Sequence, residues 1–245
     1  MPVHPPPSIT RIAIVGPGRV GSAVARGLAH AGLTVDGPLG RGAAPVGAGL
    51  VLLAVQDREI AAAARLIPEG SLVGHCSAST PLDVLVPHER FLLHPLKSVP
   101  TPDTPLAGAY AAVAGSTPRA VDTAEALARA LELRPIRVAE ADRALYHAAA
   151  TLASNALVTL LWDAERMAAS VGLPRAALAP LAAGVLDEWE HRGAAAALTG
   201  PVARGDYETV ARQRGAVAER HPELLELWDA VTGRMRALAR QGEST

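Results

Sequence analysis

Residues 12–21 read Ile12-Ala13-Ile14-Val15-Gly16-Pro17-Gly18-Arg19-Val20-Gly21, an apolar run that breaks into Gly-x-Gly-x-x-Gly and continues in the helical pattern of Ser22 to Ala31. Each glycine answers a different steric demand. Gly16 permits a tight turn off a strand, Gly18 lets the backbone approach a pyrophosphate, and Gly21 lets the following helix pack closely on the sheet. The start of that helix offers unpaired N–H groups and a partial positive charge to phosphate. In a chain with 22 glycines the trio alone carries little weight, but a strand before it and a helix after it make it a dinucleotide-binding signature. Arg19 and Val20, inside the loop, join Gly16, Gly18 and Gly21 as expected cofactor contacts.

The end of the second strand, expected over Leu33 to Leu39, selects the dinucleotide. An acidic residue about 20 positions beyond the glycines bonds the ribose 2′-OH of NAD, whereas an arginine there suits the 2′-phosphate of NADP. Counting that distance on from Gly21 reaches Arg41, so the expected cofactor is NADP(H). Asp36 is the competing acid, but it falls inside the strand pattern, before Gly37-Pro38.

The first part of the chain alternates strand and helix. Expected strands at Leu50–Val55, Leu72–Cys76, Phe91–His94, Tyr110–Ala114 and Ile136–Val138 are separated by helical patterns at Asp57–Leu66, Pro81–Val86 and Pro118–Leu131. Strands apolar throughout and spaced by helices imply a parallel sheet covered on both faces. The fold class is therefore α/β, a Rossmann-type doubly wound parallel sheet. Val55 and Gln56, at the end of the third strand, are expected to touch the cofactor. The spacing between the second and third strands is too short for a crossover helix.

After Glu140 strand patterns stop, and an Ala- and Leu-rich chain with helical spacing runs to Gln241. The expected organisation is a disordered tail over 1–8, a dinucleotide-binding domain over 9–139 and an all-helical second domain over 140–245 that serves substrate binding and dimerisation. The tail has four prolines and no apolar core, so it does not read as a signal peptide. A net charge of −1 leaves no basic excess for nucleic acid or an anionic membrane. The single cysteine, Cys76, excludes an intramolecular disulfide and fits a cytoplasmic location. Ala144–Trp162 has no Asp, Glu, Lys or Arg and is long enough to span a bilayer, but its His147, Thr151, Ser154, Asn155 and Thr159 make it read as a buried helix. With one Phe and three Tyr, close packing through alanine and a homodimer would supply buried area.

Two segments of the helical half are polar for their surroundings. His147, Thr151 and Asn155 are spaced i, i+4, i+8 on one helix face, with Ser154 beside Asn155. In Leu198–Asp206 a Gly-Pro turn leads to Arg204 and Asp206. These read either as an interhelical hydrogen-bond network and an ordinary N-cap by Asp206, or as a site.

Together with the glycine loop, His75-Cys76-Ser77-Ala78, His94-Pro95-Leu96, Tyr146-His147-Ala148-Ala149, Ser154-Asn155 and Leu198–Asp206 resemble a family of bacterial two-domain proteins over residues 9 to about 232. The family joins a Rossmann-like half to a C-terminal domain of unknown function, number 2520. It is similar to the superfamily of ketopantoate reductases, pyrroline-5-carboxylate reductases and 3-hydroxyacid dehydrogenases. The resemblance implies an NADP-dependent oxidoreductase, with ketopantoate as the first substrate to consider. One departure stands out. In the related hydroxyacid dehydrogenases a proton-donating lysine precedes the helix asparagine by four residues, and here Thr151 stands at that distance from Asn155.

Reducing a small 2-oxo acid requires a hydride, a proton for the developing alkoxide, and a cation or N–H group for the carboxylate. Arginine does not release a proton at neutral pH, so the donor is of another type. His147 qualifies because imidazole titrates near neutrality. So does Lys97, the one lysine against 22 arginines, following His94-Pro95-Leu96 at the expected C-terminal mouth of the sheet. Asn155, assisted by Ser154, could hold the substrate carbonyl or the nicotinamide amide; Arg204 could grip the carboxylate with Asp206 orienting it; His94 is expected to line the pocket. Cys76 reads as a small core residue, and no metal-ligand spacing occurs. The alternatives are reduction of a cyclic imine acid and binding of NADP(H) without turnover.

Overall fold

The structure, a computed structural model, describes residues 10–40, 42–45 and 47–242. It divides into two compact units, one ending at Ser154 and one beginning at Asn155. The first unit is built on a seven-stranded sheet of β1 (Arg11–Val15), β2 (Thr34–Leu39), β3 (Leu50–Leu53), β4 (Leu72–His75), β5 (Glu89–Leu96), β6 (Tyr110–Gly115) and β7 (Arg134–Arg137). The spatial order is β2-β1-β3-β4-β5-β6-β7.

Side chains alternate between the faces of a strand, and the core divides accordingly. Ile12, Ile14, Leu50, Leu52, Phe91 and Leu93 point to one face, where they meet α1 (Arg19–His30) and α3 (Pro118–Ala130). Ala13, Val15, Val51, Leu53, Val73 and Leu92 point to the other, under α2 (Asp57–Ala64) and a 3₁₀ turn at Leu82–Leu85. The doubly wound arrangement is thus present. The single phenylalanine, Phe91, is fully buried, and Gly74 makes room for it, because a Cβ at Gly74 would stand 2.4 Å from the ring.

One expectation needs correction. The sheet is not wholly parallel: β5 and β6 pair antiparallel, while β1, β2, β3, β4 and β5 are mutually parallel and β6 pairs parallel to β7. The cause lies in residues 97–109, which carry Pro100, Pro102 and Pro105 and form no helix. Without a crossover helix the chain doubles back instead of returning to the same edge. Thr117 and Arg119, at the start of α3, then bond Glu89 at the start of β5.

From Arg143 the chain is helical: α4 (Arg143–Thr151), a π-helical turn at Leu152–Ala156 and α5 (Leu157–Ala169). The second unit continues with α6 (Arg175–Arg192), α7 (Ala194–Ala197), α8 (Gly200–Ala203), α9 (Tyr207–Arg220) and α10 (Leu225–Gly242). The expectation of a buried helix over Ala144–Trp162 is corrected here, since no residue of that span is buried within the single chain. Helical residues Glu140–Ala169 are long and apolar enough to cross a membrane by length and composition, with mean hydropathy 1.3. Leu152 and Trp162 are 70% and 57% exposed. Helix α6 likewise buries none of its 18 residues.

Candidate functional site

The glycine loop has the geometry its sequence requires. Gly16 sits at φ +117°, and a Cβ there would lie 2.4 Å from the Ala54 carbonyl oxygen. A Cβ on Gly21 would stand 2.0 Å from the Gly16 carbonyl oxygen. Gly18 is different: its absent Cβ would meet nothing within 4 Å. The first two glycines let the loop close on itself and on β3, and the third leaves open space in front of the helix. Gly18 is also the N-cap of α1, which has no side-chain cap and no acidic residue in its first turn. Backbone donors over an open surface suit a pyrophosphate, so the residues present fit a dinucleotide.

Arg19 is exposed and Val20 is half-buried against the first core cluster. Arg41 lies outside the described residues. Asp36 is engaged elsewhere: its carboxylate accepts two hydrogen bonds from Arg11, at 2.6 and 3.1 Å. No Asp or Glu occurs between residues 37 and 49. Val55 packs on the second core cluster, and Gln56 is exposed at the N-cap of α2.

A polar cluster lies along the C-terminal ends of β4 and β5. His75, the last residue of β4, is fully buried, and its Nδ1 accepts from the Ser77 N–H at 3.2 Å. Burial, reinforced by the Arg143 charge, lowers its pKa to about 4. Since His75 pairs with Leu92 in register, His94 stands two residues farther along β5. His94 Nδ1 is 2.7 Å from Tyr146 Oη, with the rings edge-to-face at 89°. Burial, then the charges of His147 and Arg143, lower its pKa to about 4 as well. Burial pushes the Tyr146 phenol up to about 12.

Arg143 is only 3% exposed; its Nη2 donates to the Ser77 carbonyl at 2.9 Å, and its Nη1 pairs with Glu140 at 3.0 Å. Ser77 Oγ donates to Thr80 Oγ1 at 2.9 Å, and Ser79 Oγ donates to Asp57 Oδ2 at 2.7 Å. Helix α4 is therefore fastened to the strand ends at two points one turn apart, Arg143 and Tyr146. Sequence reading assigned no role to Arg143, Tyr146, Asp57 or Ser77. A signal for Arg143 existed: it is the last charged residue before the uncharged stretch from Ala144 to Trp162.

The other sequence candidates fall as follows. His147 is exposed, and its charge is felt at His94. Lys97 is exposed three residues past His94, with no hydrogen bond or ion pair among the described residues. Cys76 is half-buried, and burial pushes its thiol up to about 12, which keeps it protonated. Ser154 Oγ donates to the Ala150 carbonyl at 2.6 Å. In the second unit, Asn155 lies in the π-helical turn and its carbonyl accepts from Thr159 Oγ1 at 3.0 Å. Arg204 is exposed at the end of α8, and Asp206 caps α9 by accepting from the Thr209 N–H at 3.0 Å. Among the described residues no group of His, Cys, Asp or Glu is arranged to hold a metal ion.

The model of a family described as Domain of unknown function (DUF2520) matches residues 109–235. No curated protein matches the chain by sequence. Solved structures share its fold. A candidate NADP oxidoreductase from Bacteroides fragilis is 18% identical with a TM-score of 0.77, over 93% of this chain and 98% of that one. A protein from Thermotoga maritima is 22% identical with a TM-score of 0.78, over 95% and 99%. A reductive aminase from Aspergillus terreus, in complex with NADPH and ethyl levulinate, is 15% identical with a TM-score of 0.67, over 96% and 95%.

Proposed function

The chain belongs to the family defined by the domain of unknown function DUF2520, and on that premise we propose that it is an NADP(H)-dependent reductase of a small 2-oxo acid. The observation that carries this reading is the alignment of an open, uncapped glycine loop with a cluster of histidine, tyrosine and arginine on one rim of a single sheet. Open α/β sheets take ligands along that rim, beyond the carboxyl ends of the strands. The NADPH of the Aspergillus terreus reductive aminase supports the choice of cofactor. Asp36 pairs with Ala13 within β2, short of the strand end at Leu39, and is engaged by Arg11, which supports NADP over NAD; Arg41 is the proposed partner of the 2′-phosphate.

When bound, the reduced dinucleotide supplies a hydride. Gly16, Gly18 and Gly21 hold the pyrophosphate, with Arg19, Val20, Val55 and Gln56 lining the rest of the cofactor. His147, open to solvent beside the cluster, is the proposed proton donor to the carbonyl oxygen, with Lys97 as the alternative. Asn155, Ser154, Arg204 and Asp206 retain in this proposal the substrate-binding roles that their residue types suggest, Asp206 acting through the turn it caps. A pyrroline carboxylate reductase from Plasmodium falciparum with NADP bound shares this fold and favours a second reading, reduction of a cyclic imine acid. NADPH oxidation followed across ketopantoate, other 2-oxo acids and pyrroline carboxylates separates the two. Turnover of an oxo acid with NADPH preferred over NADH is the expected result; binding of NADPH with no oxidation by any of these compounds overturns it.

The protein is further proposed to be a soluble, cytoplasmic homodimer. Leu181 and Trp189 on α6 are 66% and 55% exposed, and a helix with apolar side chains on several faces is ordinarily covered. Sedimentation equilibrium without detergent is expected to give twice the chain mass, and Trp189→Glu to shift it toward the single chain. A wild type that sediments as one chain would refute the dimer.

A further inference from the structure

Tyr146 and His94 form a hydrogen-bonded pair in which the direction of the bond and the tautomer of the imidazole are coupled. Tyr146 has one hydrogen to donate, and the acceptor within reach is His94 Nδ1, at 2.7 Å. If instead Nδ1 carried the hydrogen and donated to the phenol, the hydroxyl proton of the half-buried Tyr146 would be left to solvent, since the described residues offer it no other acceptor. A phenol that donates to Nδ1 fixes the imidazole hydrogen on the other nitrogen, Nε2. That nitrogen has no protein partner among the described residues, and it is not enclosed, in contrast to Nε2 of His75.

The placement of the ring adds to this. His94 stands two residues beyond the end of β4, on the rim that carries the glycine loop. The Tyr146 ring packs on the second core cluster and meets His94 edge-to-face, so the imidazole plane is held from behind. The groups whose charges act on His94 are Asp57 from α2 and Arg143 and His147 from α4; His75 from β4 and Tyr146 from α4 also stand by it.

From this geometry we propose that His94 presents a neutral imidazole N–H, through Nε2, to the carbonyl oxygen of the substrate, with Tyr146 as the positioning residue that fixes the tautomer. This rests on the reductase reading above. Arg143 and His147 favour the neutral ring, and burial lowers its pKa to about 4, so the donor is present throughout the neutral range. A neutral donor of this kind strengthens its hydrogen bond as negative charge develops on the oxygen, without drawing the substrate carboxylate to itself. No covalent change at His94 is involved, and the proton for the alkoxide comes from the separate donor already named.

The test has a structural arm and a kinetic arm. Long-range ¹H–¹⁵N spectra of the full chain without cofactor are expected to show His94 protonated on Nε2 with Nδ1 accepting, and Tyr146→Phe, which keeps the ring packing, is expected to mix the two tautomers. In turnover, Tyr146→Phe is expected to lower kcat by about tenfold and His94→Leu by about a hundredfold, with NADPH affinity unchanged and His94→Gln recovering part of the loss. A wild-type His94 protonated on Nδ1, or a tautomer unmoved by Tyr146→Phe, overturns the pair. Altered tautomers with unchanged kcat overturn the donor role. A wild type that shows the expected tautomer yet reduces no substrate marks the failure of the reductase reading, and the donor role falls with it.

Discussion

Gly18→Asp is expected to weaken NADPH binding by about a hundredfold or more, roughly 2.7 kcal/mol, while leaving the folded chain as stable as before. The two halves of that outcome have separate causes. A side chain at residue 18 enters open space, and the backbone there is extended, at φ −75° and ψ −179°. Aspartate is a favoured N-cap, so the helix itself gains or loses little. The same carboxylate would, however, stand where a pyrophosphate must approach the uncapped amides and would repel it. Gly21→Ala should behave in the opposite manner. Its Cβ would lie 2.0 Å from a backbone oxygen, which is relieved only by moving α1 off the sheet, at a cost of about 3 kcal/mol or more in stability. Calorimetric titration with NADPH and a thermal melt on both variants distinguish the two effects. Wild-type affinity in Gly18→Asp would show that phosphate does not sit on this loop.

The second large effect is on acid stability. His75 and His94 each have a pKa near 4 in the folded chain, against 6.5 for an unperturbed histidine. Below pH 6.5 the unfolded chain therefore binds protons that the folded chain refuses, and stability falls with pH until about 4, where the folded form also takes them up. Each pKa unit is about 1.4 kcal/mol, so the fully buried His75 accounts for roughly 3 kcal/mol, with a smaller share from the partly open His94. Urea unfolding at steps between pH 7 and 4.5 is expected to reveal this slope, and His75→Gln to flatten it. Most of the window lies above the ordinary carboxylate range, and the hydrogen-bonded Glu89, Glu125 and Asp206, held below that range in the folded chain, lose their contribution only as pH falls through and below it. A stability that stays constant from pH 7 to 4.5 would mean that these rings are already charged or are exposed.

The glycine loop, the strand-helix alternation and the change to an all-helical chain were all legible because each rests on local pattern: turn sterics at Gly16 and Gly21, and periodicity elsewhere. The antiparallel β5–β6 pair was not, since Phe91–His94 and Tyr110–Ala114 are equally apolar in either direction, and only the helix-free connection with its three prolines decides. Of the site, His94 was visible through the His94-Pro95-Leu96 motif at the expected mouth of the sheet, and the Tyr146-His147 segment as polar groups in apolar surroundings. Arg143 was overlooked because an arginine at a helix start reads as solvated, whereas its Nη2 reaches Ser77, 66 residues earlier. Such long-range pairing leaves no trace in spacing. The exposure of α6 was hidden for the converse reason: its composition tells that it is apolar, not what covers it.

The reversal at β6 divides labour within one continuous sheet. Because β6 runs against β5, α3 starts at the opposite rim, where its positive end is already answered by Glu89 through Thr117 and Arg119. Of the two long helices on that face, α1 alone turns its electropositive tip toward the crest that carries His75 and His94. The last strand-helix-strand unit is thus a buttress. It braces the floor beneath the chemistry.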